Sequence, residues 1–328
     1  MIDVRACSNL EIIIAQSEGG ENLSSQFVLL QSSGMEFKLD YYRRIEKVYQ
    51  IVIWGTGSNY QRLINLIKFY EEKCEFSVIG VTSEDDFFEF WDGYKYISKE
   101  ELDWKFDYII ATPEDFQSVI KEVEEIGGDI NKLIPGKVLQ LPGFSFNRYI
   151  ELKKNIPTII SRDCYGATLY NALGLPFLSP TILLWFDDEN YIRFLSNFSY
   201  YIKSDLEYVK SGKDEVSGLL YPICKLGDIL IHFNHYSTFE EAKKKWDERV
   251  QRIDWNNIIV FNQTSNVEKA KEFMRLPFEK KYIFTNFECD NCFNCEKIIN
   301  STGLTLGRIG RRSCVGNYRL YNPIEILL

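Results

Sequence analysis

Histidine is almost missing from this chain. His232 and His235 are the only two, so imidazole base chemistry has to fall on one of them. A basic excess is missing too. Lys and Arg number 38 against 47 Asp and Glu, a formal charge of −9. A polyanion binder shows a basic face or stripe, so nucleic acid and anionic membrane are excluded as first partners. No apolar run approaches the roughly 20 residues of a membrane span. At the N-terminus Glu11 interrupts "LEIIIA", which is too short for the core of a signal peptide. The expectation is a cytoplasmic protein, whose eight cysteines are thiols or metal ligands rather than disulfides. Internal repeats and low-complexity tracts are also absent.

What is present is core-forming material: 45% apolar residues, with 23 Phe and 20 Tyr. The pattern predicts an α/β protein of two Rossmann-like units with mainly parallel sheets. Residues 1–46 read as a hairpin or extension, with strands at "LEIIIA" and "QFVLLQ" around Gly19-Gly20. Residues 47–150 read as a small Rossmann-like domain. Its strands are at 49–54, 76–82 and 107–111, with a last one at "KVLQL" (137–141). Its helices follow Gly55-x-Gly57, with Leu63, Ile67 and Tyr70 on one face, and Thr112-Pro113, an N-cap with proline at N1. "LPGFSFNRYIELKKN" reads as a hinge region. Residues 151–328 form the second α/β domain, with strands at "TIIS" (158–161), "TILLWF" (181–186), "DILIHF" (228–233), "NIIVF" (257–261) and "KYIFTN" (281–286). One helix there carries Tyr191, Leu195, Phe198 and Ile202. The next starts at the capping box Ser237-Thr238-Phe239-Glu240 and buries Phe239, Ala242, Trp246, Val250 and Ile253.

Ligands of open parallel sheets bind beyond the carboxyl ends of the strands. Cys164 follows "TIIS", Asp187 and Asp188 follow "TILLWF", and His235 lies just past "DILIHF", so these could face one crevice. Cys164 sits where a helix begins, and the positive end of a helix eases thiol ionisation. It reads first as a packed corner residue and second as a nucleophile. His235 reads as a general base or phosphate contact, and His232 as a core histidine. Asp187 and Asp188 are candidates for holding a metal–diphosphate pair, or for capping the next helix. Gly55 and Gly57 allow close approach of a pyrophosphate, with Glu84 or Asp85 for a ribose hydroxyl, although Tyr60 stands where a third fingerprint glycine belongs. Lys245, Arg249 and Arg252 are spaced to share a helical face that could hold a phosphate, or be a solvated surface. "CDNCFNC" places Cys289, Cys292 and Cys295 at two-residue spacing with Cys314 downstream. Four thiolates suit zinc, but the second Cys-x-x-Cys pair of a zinc ribbon is missing, so a structural metal is not the favoured reading.

From about 157 to 262 the chain resembles a bacterial family labelled exopolysaccharide biosynthesis protein, also called domain of unknown function family 1919. The residues that carry it are Cys164 with Gly166, Leu178-Ser179-Pro180, Tyr221-Pro222, His235-Tyr236, Ala242, Trp246, Arg249 and Arg252. Gly166-Ala167 stands where the family has Gly-Gly. "IVIWGTGSNY" and "DYIIAT" resemble the small Rossmann-like modules of nucleotide-sugar enzymes. The resemblance implies a role in surface-glycan assembly. The leading expectation is a glycosyltransferase or related transferase, taking a nucleotide-activated sugar, with a divalent metal, to a glycan acceptor. The alternatives are a Cys–His hydrolase or acyltransferase using Cys164, and a non-catalytic nucleotide-sugar-binding module.

Overall fold

The apolar run that ends in Trp54 seeds the first sheet. The computed structural model describes residues 47–328 except 85–88, 142, 216, 290 and 316–319. Before residue 47 it describes only three strands, Val4–Cys7, Leu10–Ile13 and Val28–Leu29, which form an antiparallel sheet. Two of these fall in the expected strands, and Gly19-Gly20 lies outside the described residues.

From residue 47 on, the first strands and helices are β1 (Tyr49–Trp54), α1 (Ser58–Glu72), β2 (Phe76–Thr82), β3 (Tyr108–Ala111), α2 (Phe116–Glu125) and β4 (Leu133–Pro135). These four strands are parallel, in the order β2-β1-β3-β4, and a short antiparallel pair, Phe90–Trp91 with Tyr94–Lys95, forms a separate sheet. Both faces of β1 are covered, which is why it reads as a continuous apolar run. Ile51 and Ile53 meet Leu63, Ile67 and Tyr70 of α1. Val52 and Ile109 meet Val119 and Val123 of α2 on the other side.

Two local expectations are corrected. Thr112 does not cap α2, because its hydroxyl donates to the carbonyls of Trp54 and Gly55. Asp115 is the cap, accepting from the amides of Gln117 and Ser118. "KVLQL" is not a strand either. The ladder ends at Ala111–Pro135, and Gly136–Gln140 closes into a 3₁₀ turn that buries Val138 and Leu139.

The chain continues through α3 (Phe146–Lys154), β5 (Thr158–Ser161), α4 (Tyr165–Leu173), α5 (Asp188–Ser196), α6 (Phe198–Lys203), β6 (Leu206–Lys213), β7 (Leu220–Leu226), β8 (Ile229–His232), α7 (Phe239–Val250), β9 (Ile258–Gln263), α8 (Val267–Met274), β10 (Lys280–Thr285), β11 (Cys292–Asn294), α9 (Glu296–Thr302) and α10 (Leu306–Ser313). The second parallel sheet has the order β5-β9-β10-β11. Successive residues of each strand face opposite ways. Ile159 and Ile259 therefore join the core shared with the first sheet, which also takes in Phe146, Tyr149, Leu169 and Leu173 of α3 and α4. Ile160 and Val260 join a separate core beneath α5, α6, α7 and α8. The segment read as a hinge contains α3, whose Phe146 and Tyr149 are fully buried. Lys47–Leu328 forms one compact unit.

Sequence and structure also differ around the second core. "TILLWF" is not a strand. Leu183 takes a left-handed φ of 61°, and only Trp185 makes a bridge, to His232. Its apolarity has another cause: Leu183 packs against both cores. "DILIHF" does contain a strand, but β8 pairs antiparallel with β7, and with β6 they make a separate sheet. The helix predicted across 191–202 is two helices, divided at Asn197. The capping residue of α7 is Thr238, which accepts from the Glu241 amide, while the Glu241 carboxylate accepts from Ser237 N–H. The box is displaced by one residue from its sequence reading.

Gly55 shows why a glycine follows β1. Its φ is +94°, and a Cβ there would stand 2.9 Å from Thr112 Oγ1 and 3.0 Å from the Pro113 ring. Gly55→Ala should cost about 2 kcal/mol or more, read as a lower urea midpoint with an unchanged slope.

Candidate functional site

The turn from β5 to α4 is held by its own side chains. Ser161 Oγ donates to the Asp163 carbonyl (2.7 Å) and accepts from Gly166 N–H (3.0 Å). Gly166 has to be small, since a Cβ there would lie 2.8 Å from that oxygen. Asp163 Oδ1 accepts from Tyr165 N–H (2.9 Å), and Oδ2 accepts from Gln263 Nε2 (2.9 Å) and Arg311 Nη1 (2.6 Å). Arg162 donates to the carbonyls of Phe186 and Gln263 and pairs with Asp188. Residues from β5, β9, α5 and α10 thus fix the position of Cys164, the N-cap residue of α4.

His235 arrives from the other direction, on the loop after β8. The next residue, Tyr236, is buried; its hydroxyl donates to the Ile182 carbonyl (3.1 Å) and accepts from Arg249. With the loop anchored there, His235 Nε2 stands 3.2 Å from Cys164 Sγ. The imidazole is exposed and Cys164 half-buried, so the pair can be reached from solvent. Burial pushes the thiol up to about 11, the Asp163 charge adds to this, and Arg311 opposes it. At neutral pH the resting group is the thiol, and it needs a base to react. His235 Nε2 is the imidazole nitrogen within reach of it.

Cys164 and His235 therefore meet at one turn, to which Asp188 is tied only through Arg162, by a route the sequence argument did not contain. Only "TIIS" is a parallel-sheet strand; Asp188 is the first residue of α5, and His235 lies on the loop after an antiparallel hairpin. Asp187 caps α5, accepting from Asn190 N–H (2.8 Å) and Nδ2 (2.6 Å). Arg249 does not join Lys245 and Arg252 in an exposed basic cluster, and Arg252 lies beyond the end of α7. Arg249 is buried, and it donates to Ile182 O and Tyr236 Oη. Arg249→Met would remove two charge-assisted hydrogen bonds from the interior, leaving Tyr236 Oη and Ile182 O only their bond to each other, and should cost about 3 kcal/mol, measurable by urea unfolding. Arg252 is exposed and reaches the Phe177 carbonyl, while Lys243 and Lys245 pair with Asp247 and Glu248. His232 lies on β8, stacked on Trp185 at 3.8 Å, and burial lowers its pKa.

The glycine turn lies elsewhere, at the carboxyl ends of β1 and β3. Thr112 and Pro113 pack over Gly55. Gly57 is the N-cap of α1, and a Cβ there would meet nothing within 4 Å. Thr56 and Ser83 share a hydroxyl contact of 3.0 Å. Glu84 is exposed, and Asp85 lies outside the described residues. The four C-terminal thiols divide between two cores: Cys295 and Cys314 are buried in one, and Cys289 and Cys292 pack against the other. Among the described residues no three His, Cys, Asp or Glu side chains are placed to hold a metal ion. The reason is topological, since the sheet runs between the two pairs.

Sequence reading missed Arg162, Asp163, Gln263 and Arg311. The Gly307-x-x-Gly310 spacing was the available signal, since glycines three apart leave one helix face open to close neighbours.

An α/β protein whose second sheet presents a cysteine–histidine pair at a strand-to-helix turn is the class that fold and site define. The chain belongs to the family described as Domain of unknown function (DUF1919), which matches residues 136–311, and residues 47–134 match the family described as C2185-like, N-terminal. A relative from Haemophilus influenzae, described as an uncharacterized protein, is 33% identical over 148 residues. That covers 44% of this chain and 69% of the relative. Among the described residues no helix is long and apolar enough to cross a membrane.

Proposed function

We propose that this protein is a cysteine-dependent acyltransferase or hydrolase of surface-glycan assembly. The observation that carries the chemistry is the 3.2 Å contact between Cys164 Sγ and His235 Nε2; the glycan context comes from the family resemblance. In the proposed reaction His235 takes the thiol proton as Cys164 Sγ attacks an acyl carbonyl. The leaving group departs with that proton, and a thioester remains on Cys164. A hydroxyl of a glycan acceptor, or water, then attacks the thioester as His235 removes its proton, and the thiol is restored. The probe is p-nitrophenyl acetate. Expected is an acetyl group on the Cys164 peptide, found by mass spectrometry, together with p-nitrophenol release that Cys164→Ser abolishes. Acetylation of exposed Cys74 at the same rate as Cys164 would sink the proposal.

A second reading is favoured by the free space at Gly57, which begins the 15-residue α1 without a side-chain cap. A nucleotide or nucleotide-sugar phosphate suits such a helix start, either as the donor of a transferase or as a sensed ligand. A thermal-shift panel of nucleoside-diphosphate sugars, with and without Mg²⁺, tests it. A ligand at about 100 times its Kd adds about 2.7 kcal/mol, a shift of several degrees. A flat panel removes this reading and leaves the Cys164 reading untouched.

A further inference from the structure

The segment "CDNCFNC" carries the Cys-x-x-Cys spacing twice, and the fold treats the two pairs differently. Cys292–Asn294 is β11, an extended strand paired with β10. Across it Cys292 and Cys295 stand about 10 Å apart and on opposite faces of the sheet. A disulfide needs Cα atoms within about 7 Å, so this pair does not close. Cys295 is also fully buried.

Cys289 and Cys292 are joined by a turn instead. Asn291 takes a left-handed φ of 52°, and the chain folds back until the Cys289 amide donates to Cys292 Sγ at 3.0 Å. The same sulfur donates to the Phe287 carbonyl at 3.6 Å. The Cβ of Cys289 is two bonds from that amide nitrogen, so rotation of its side chain brings the second sulfur into bonding range. Both residues are half-buried thiols. Cys289 also lines a cleft of about 490 Å³, whose other wall is Val267, Ala270 and Met274 of α8. A cleft of that volume admits a small molecule.

We infer that Cys289 and Cys292 form a reversible dithiol–disulfide site, reached through this cleft by a disulfide of the glutathione type. Cys289 loses its proton to solvent and attacks one sulfur of the incoming disulfide. The other half leaves as a thiolate and takes up a proton. Cys292 then loses its proton and attacks the Cys289 sulfur of the mixed disulfide, and the second half leaves in the same way. The dithiol gives up two electrons, and one external disulfide becomes two thiols. In the oxidised form the head of β11, an edge strand of its sheet, is tied to the segment before it. The site is independent of Cys164.

The test incubates the full chain with excess glutathione disulfide, quenches with acid and reads the state of each cysteine by alkylation and peptide mass spectrometry. Expected is a Cys289–Cys292 link at least about tenfold more abundant than a link between any other two cysteines, fully reversed by dithiothreitol. Cys295 should be alkylated only after denaturation, and exposed Cys74 should carry glutathione without a second link. Cys289→Ser should abolish the link and leave glutathione on Cys292. Glutathione retained on Cys289 of the wild-type protein without closure overturns the inference. A Cys292–Cys295 link, or a Cys289–Cys292 pair that stays reduced, overturns it as well.

Discussion

His235→Ala should slow alkylation of Cys164 by iodoacetamide about 100-fold at pH 7.5, with Cys74 unchanged. The Cys164 thiol is protonated at rest. Its environment holds it near 11, so roughly one molecule in ten thousand carries a thiolate at pH 7. A preformed thiolate–imidazolium pair would give a rate plateau between two ionisations. A neutral pair that transfers its proton during attack gives a rate that depends on the imidazole as base. General-base assistance of this kind is worth about 10²–10⁴-fold.

The charged neighbours set the sign of further changes. Asp163 raises the thiol and Arg311 lowers it. Arg311→Met should therefore move the alkaline limb of the rate profile to higher pH. Asp163→Asn should move it lower, provided the turn survives the loss of an acceptor that serves three donors. The measurement is peptide-resolved alkylation from pH 6 to 10. An unchanged rate in His235→Ala would mean that the 3.2 Å contact is packing and not chemistry.

The second large effect is alkaline. Cys224, Cys295 and Cys314 are fully buried, and burial pushes each up to about 12. In the unfolded chain they ionise near 9. The folded value is the higher one, so the unfolded state loses protons first and stability falls as pH rises. The contribution is complete below about pH 9 and is lost progressively between about 9 and 12. One pH unit above the unfolded value each thiol removes about 1.4 kcal/mol, or about 4 kcal/mol for the three at pH 10. Five deeply buried tyrosines, Tyr149, Tyr165, Tyr170, Tyr191 and Tyr321, are also raised by burial and steepen the fall at still higher pH. Urea unfolding at pH 8 and pH 10 measures the loss, and Cys224→Ala should remove about one thiol's share of the pH dependence. Equal stability at the two pH values would show that these thiols are not held neutral in the fold.

How much of this was legible follows from what each signal depends on. β1, β3, β5 and β9 were readable because their apolar runs are covered on both faces, and β2 and β10 because their C-terminal halves are buried. α1, α2 and α7 were readable from helical periodicity, although the caps of α2 and α7 were misplaced by one to three residues. Thr112, for example, has two nearby carbonyls to bond, and nothing local announces them. "TILLWF" misled because two cores bury it without strand pairing. "KLGDIL" held a hairpin signal that the sequence reading passed over: Gly227 takes a φ of +59° in a two-residue turn between β7 and β8.

The sequence by itself determined that the chain folds as α/β units with parallel sheets. It also determined that Cys164 stands at a helix start and that imidazole chemistry rests with His232 or His235. These follow from residue type and period, which are local properties. Only the tertiary structure decided that His235, 71 positions away, meets Cys164, that Arg249 is an anchor in the interior, and that the C-terminal thiols are divided between two cores. Those outcomes depend on which strands become neighbours, and chain neighbours do not encode that choice, because it is made by the summed burial of both cores.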